Sequence, residues 1–147
     1  MKFPAAVRIF LFACTGVAAA TSVAAGTDGK AVDVVRQKFE AVNRHDADAI
    51  QRIYAADARL QSPDYPSLTG NAPIAETYRK IFAAIPDAKD EIETLEASPN
   101  HVYVQFVLTG HFGGAQDKPV RVRLIAVYAV SHGHIVDDVT YYDRKAI

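Results

Sequence analysis

The sequence has one cysteine, Cys14, and it lies in the opening segment. A chain with a single thiol forms no internal disulfide, so the domain must be held by its core. If that opening segment is removed, cysteine nucleophiles and cysteine metal ligands go with it. No excess of one charge is present either, with 16 Lys and Arg against 17 Asp and Glu. Without a basic stripe, nucleic acid is not an expected partner. No H-E-x-x-H, G-x-S-x-G, phosphate loop or dinucleotide fingerprint occurs, so no metal and no cofactor are expected. Of the five histidines, His132 and His134 form an H-x-H pair at a turn and read as solvated. His45 falls at a helix junction, and His101 and His111 fall on the outward side of a strand. There is no internal repeat and no low-complexity segment.

The apolar run from Ile9 to Ala20 follows the cations Lys2 and Arg8 and precedes small residues at Ser22-Val23-Ala24-Ala25. That pattern predicts a cleavable signal peptide over residues 1–25 and a periplasmic or secreted mature domain over residues 26–147. The run is too short to span a bilayer comfortably, so no membrane association is expected after cleavage. An uncleaved anchor and a lipoprotein acylated at Cys14 are the alternatives. Losing Lys2 and Arg8 leaves 14 cations against 17 carboxylates, a net charge of −3.

What remains is long enough for one domain with a real core. Val32, Val35, Phe39 and Val42 recur at helical spacing over 31–43, with Arg36, Lys38, Glu40 and Arg44 read as the polar face. Asp46 looks like the N-cap of a short second helix with Ile50, Ile53 and Tyr54 inward. A short strand is expected over 58–62, then a loop over 63–70 with two prolines and a glycine, whose Asp64 and Tyr65 could lid a pocket. Asn71 is expected to cap a third helix with Pro73 in its first turn and Ile74, Tyr78, Ile81, Phe82 and Ile85 inward. A polar edge strand over 89–97 and an alternating strand over 101–112 follow. The latter sets Val102, Val104, Phe106 and Leu108 against Tyr103, Gln105, Val107 and His111.

The last quarter, 118–143, reads as a β-hairpin turning on His132-Gly133. With a two-residue loop, opposing residue numbers sum to 265. Alternation then places Arg121, Arg123, Ile125, Val127 and Ala129 on one face with Val136, Asp138, Thr140 and Tyr142. The other face takes Val122, Leu124, Ala126, Tyr128 and Val130 with Ile135, Asp137, Val139 and Tyr141. Helices first and strands after predict an α+β domain: three N-terminal helices packed on a strongly curved, mainly antiparallel sheet.

At this point the chain resembles the nuclear transport factor 2-like superfamily, in its SnoaL-like polyketide-cyclase branch. The matching stretches are Phe39-Glu-Ala-Val-Asn-Arg-His-Asp46, Tyr54-Ala-Ala-Asp-Ala58, Leu68-Thr-Gly70, Thr109-Gly110 and Gly133-His-Ile-Val-Asp-Asp-Val-Thr-Tyr-Tyr-Asp143. The resemblance implies a cone-shaped α+β barrel with an interior pocket, and a homodimer through the outer face of the sheet. In SnoaL-like cyclases it implies an acid/base aspartate on the last strand, at the place held here by Thr140. Ketosteroid isomerases on the same fold use a tyrosine and two aspartates, at places held here by Lys38, Ser62 and Ile125. Both catalytic sets are missing, so the resemblance implies a fold without naming a chemistry.

The resemblance and the strand pattern both put Asp138 inward. A carboxylate among apolar side chains is desolvated and suited to proton transfer, which makes Asp138 the candidate catalytic residue. Asp137 is expected to face outward. Arg123, opposite Tyr142, could hold an oxyanion or pair with a helix carboxylate. Thr140, Tyr142, Tyr54, Tyr78 and Phe106 complete the expected lining for a small, largely apolar ligand. Two readings stay open: cofactor-free acid/base chemistry of an isomerase, cyclase or hydrolase, and a non-catalytic ligand carrier or interaction domain. The apolar outer face, read as Tyr103, Gln105, Val107, Leu124, Ala126, Tyr128, Val139 and Tyr141, predicts a symmetric dimer.

Overall fold

Val35, Phe39 and Val42 recur along one stripe of a helix and all three are buried, which sets the first layer of the domain. A computed structural model describes residues 25–143 of the chain. The expected signal peptide, apart from Ala25, lies outside the described residues, as do residues 144–147. The first helix, α1 (Ala25–Asn43), begins six residues before the expected 31. It ends in a Schellman motif: His45 is left-handed (φ 55), its N–H bonds Val42 O and that of Asp46 bonds Ala41 O. Glycine is usual at that position. Histidine is held there because its Nε2 lies 2.8 Å from Ala88 O and its ring stacks on Phe82. Asp46 then caps α2 (Ala47–Ile53) by accepting from Ala49 N–H, as expected.

The strand after α2 is longer than the sequence suggested, β1 (Tyr54–Ser62), and the expected loop contains a strand, β2 (Tyr65–Thr69). Proline is tolerated in β2 because β2 is a sheet edge, where an amide can be spared. Helix α3 (Asn71–Ala84) carries Pro73 in its first turn. The N-cap is Gly70 (φ 101) and not Asn71, whose side-chain amide turns to Tyr54 O at 3.5 Å. Strands β3 (Lys89–Ala97) and β4 (Val102–His111) follow. After one 3₁₀ turn at Phe112–Gly114 come β5 (Pro119–Ser131) and β6 (His134–Tyr141).

The six strands run β2-β1-β6-β5-β4-β3, with β1 parallel to β6 and the other neighbours antiparallel. Three helices on one face of a curved, mostly antiparallel sheet give the α+β cone. Its core is one continuous cluster that includes Phe39, Ile50, Ile74, Val104, Phe106, Val122 and Ile135.

The hairpin corrects the expected register. Its two-residue turn is present, with Ser131 opposite His134 and Val130 opposite Ile135. The next pair is Ala129 with Asp137, so Val136 is an extra residue on β6, a β-bulge. Beyond it the opposing numbers sum to 266, and the faces of β5 are exchanged relative to β6. Asp138 therefore lies opposite Tyr128, and Thr140 opposite Ala126. Tyr128, Ala126 and Leu124 point inward and are buried, which removes them from the expected outer face. Arg123, Ile125 and Val127 take their places outside.

Candidate functional site

A bulge in the last strand brings a carboxylate beneath an ammonium. Lys38 was placed with the polar residues of α1, yet its side chain is only 2% exposed. It stands three residues after Val35 and four before Val42, hence on the buried stripe. Its Nζ donates to the Tyr128 hydroxyl at 3.1 Å. It also lies 4.4 Å from the Phe39 ring centroid, 5.3 Å from Tyr78, 5.5 Å from Tyr128 and 5.7 Å from Phe106. A cation surrounded by four ring faces within about 6 Å is held by their quadrupoles in place of water.

Asp138, 1% exposed, completes the cluster from β6. The Tyr54 hydroxyl donates to its Oδ2 at 2.5 Å and the Thr140 hydroxyl to its Oδ1 at 3.2 Å. Tyr54 reaches it because β1 pairs in parallel with β6. The third charge is Asp90 on β3, 8% exposed. Asn43 of α1 clamps its backbone, accepting from the Asp90 N–H at 2.7 Å and donating to its C=O at 2.9 Å.

The charges set one another's protonation. Burial pulls the Lys38 ammonium down, but the phenol oxygens of Tyr128 and Tyr78 and the carboxylates of Asp138 and Asp90 outweigh it and hold the group well above the usual lysine value. Burial raises Asp138, against the pull of Lys38 and the hydroxyls of Tyr54 and Thr140, and the carboxyl stays above its usual range. Burial pushes Asp90 up to about 6, opposed by Lys38. Burial also raises the phenols of Tyr54, Tyr78 and Tyr128, so they act as neutral donors and acceptors. One buried cation flanked by two reluctant carboxylates is able to bind, give and take a proton.

Of the residues singled out from sequence, Asp138, Thr140, Tyr54, Tyr78 and Phe106 come together around this cluster. Tyr142 follows directly after the end of β6 and packs, half-buried, against the core. Arg123 does not join them. The bulge leaves it outside, its side chain 69% exposed and paired with Glu93 at 3.0 Å. Asp138 accordingly has Tyr54, Thr140 and Tyr128 around it in place of Ile125, Val127 and Val136. Asp137 faces outward, bonded to Arg59 at 3.2 Å. Tyr65, expected in a lid loop, is the first residue of β2 and packs half-buried on the core.

Lys38, Tyr128 and Asp90 were not found from sequence. Helical spacing carried a signal for Lys38, and the alternation of Asp90 with Ile92 carried one for Asp90. Tyr128 had none, because nothing in Val136 announces a bulge. Separate from the cluster, a surface groove of about 540 Å³ runs beside the hairpin turn, lined by Arg52, Asn71, His132, His134 and Tyr54 among others. Tyr54 thus borders both.

Comparison with known proteins agrees with this architecture. The family model described as a SnoaL-like domain matches residues 35–138. No curated protein matches the sequence. Among solved structures, a hypothetical protein with a ketosteroid isomerase-like fold from Catenulispora acidiphila, in complex with trimethylamine, superposes with a TM-score of 0.72 at 22% identity, over 78% of this chain and 88% of that one. A protein assigned as a SnoaL-like polyketide cyclase from a Jannaschia species gives 0.72 at 18% identity, over 81% and 89%. An epoxide hydrolase of the LEH-like kind from M. tuberculosis gives 0.71 at 17% identity, over 82% and 87%. At such identities these likenesses speak for the fold alone. With its helices, its cone of six strands and the match over residues 35–138, the chain belongs to the SnoaL-like domain family.

Proposed function

We propose that this chain is an exported, periplasmic or secreted domain that binds a small, largely apolar ligand inside the cone and moves a proton on it without a cofactor. The reaction class is isomerisation, cyclisation or hydrolysis. Asp138 takes a proton from a carbon beside a carbonyl, negative charge develops on the carbonyl oxygen, and Lys38 faces that charge in the role first considered for Arg123. Tyr78, Phe106, Thr140 and Tyr142 surround the ligand. The observation that carries this reading is the buried Asp138 carboxylate, bonded by Tyr54 and Thr140 in one cluster with Lys38.

The test is an NMR titration of Asp138 in the mature protein, with Asp138→Asn as the assignment control. A midpoint raised above the ordinary carboxylate range is expected, and carbonyl compounds are then screened for turnover. A midpoint near the ordinary value of about 3.9 would remove the acid/base role. In that case the carrier reading stands. It has its own support, since Lys38 is bonded to Tyr128, and Asp138 to Tyr54 and Thr140, within the cluster itself.

The outer face of the sheet presents Tyr103, Ile125 and Tyr141, respectively 43%, 41% and 59% exposed. Large apolar side chains grouped on one sheet face support a symmetric homodimer through it.

A further inference from the structure

Asp90 is a buried carboxylate that the proposed chemistry leaves idle. Its backbone is pinned twice by Asn43, while among the described residues its carboxylate accepts no hydrogen bond. Buried charges are ordinarily paired or bonded, so an unbonded one held in a fixed place calls for a role. The sheet supplies the geometry. The Lys38 ammonium lies against Phe106 of β4 and Tyr128 of β5, the two central strands on this side. Asp90 is on β3, next to β4, and Asp138 is on β6, next to β5. The two carboxylates flank Lys38 from opposite sides. Asp90 is the more exposed, at 8% against 1%.

We propose that Asp90 is a second proton-accepting carboxylate of the same interior, working on the solvent-reached side of Lys38 opposite Asp138. This rests on the proton-transfer reading of the site. Asp138 already accepts from two hydroxyls; the Asp90 carboxylate, which accepts from none among the described residues, takes a second proton from a ligand and passes it to water. The groups acting on it are few. Lys38 reaches it from α1 and Tyr78 of α3 feels its charge. Leu108 lies opposite on β4, and its strand neighbours Lys89 and Glu91 are exposed.

The probe is 5-nitrobenzisoxazole, whose ring opening reports a desolvated carboxylate base. The C–H proton passes to the carboxylate, its electron pair forms the nitrile, and the N–O bond breaks to a phenolate. The carboxyl then returns its proton to water. Wild type is expected to exceed acetate at equal concentration by about a hundredfold. Its rate should rise with pH through about 6 and level above, following ionisation of Asp90. Asp90→Asn should cost about tenfold or more and erase that inflection, while Asp90→Glu keeps it. Melting curves check that each variant is folded. A rate and pH profile unchanged in Asp90→Asn overturn the proposal, and the Asp138 reading survives if Asp138→Asn alone abolishes the rate. Loss in Asp90→Asn with none in Asp138→Asn supports Asp90 and removes the role given to Asp138. A wild type no faster than acetate overturns both.

Discussion

The energetic cost of Asp90 is measurable at a single residue. Its carboxyl is lifted from 3.8 to about 6, so the folded state binds that proton more tightly than the unfolded one. The sign follows: the group costs nothing below about pH 4, and its penalty grows to full size as pH rises past 6. At 1.36 kcal/mol per pH unit the penalty is about 3 kcal/mol. Asp90→Asn should therefore stabilise the fold at pH 7 by about 1–3 kcal/mol and leave it nearly unchanged at pH 4. Urea denaturation at the two pH values reads this directly, and a loss at pH 7 would make Asp90 a structural partner of Lys38. The same residues show how far sequence reaches at this scale. Asp138, Thr140 and Tyr54 were legible because period-two alternation and helix spacing are local. Lys38 was misread because its charge was weighed above its position, three residues from Val35 and four from Val42. A buried lysine is an exception that the ring cage makes possible.

At the level of elements, the close crossing of β4 over the end of α3 depends on Gly110. A Cβ there would overlap the Ile85 side chain and come within 3.2 Å of Ala88 Cα, and φ is +153°. Gly110→Ala should cost about 2–3 kcal/mol, seen as an earlier midpoint in urea with an unchanged slope. A shift below about 0.5 kcal/mol would mean the turn at 85–88 yields without strain. Helices α1 and α2, the α3 apolar stripe and strands β3 to β5 were legible from periodicity and capping residues. Strand β2 was not, because Pro63, Pro66 and Gly70 are loop signals and only its edge position excuses them. The faces of β5 and β6 were exchanged for one reason, the bulge at Val136. A bulge of this type requires no particular residue, so the sequence carries no mark of it.

For the molecule as a whole, the outer face is the surface left to explain. Ile125→Asp combined with Tyr141→Asp should convert a dimer into a monomer by light scattering while the circular dichroism spectrum is kept. A wild type of monomer mass would end the dimer proposal. The acidic pair Asp137-Asp138 and the phenol pair Tyr141-Tyr142 give the last strand a further property. Each doublet sends one member into the cone and the other outward, Asp137 to Arg59 and Tyr141 to the exposed face. Were β6 to slide by one residue, Asp137 would arrive where Asp138 stands and Tyr141 where Tyr142 stands. Of the inward set, Thr140 would be exchanged for Val139. The strand is written so that its chemical content survives a shift of phase. A lineage could gain or lose the Val136 insertion and still keep an acid and a phenol facing the lumen.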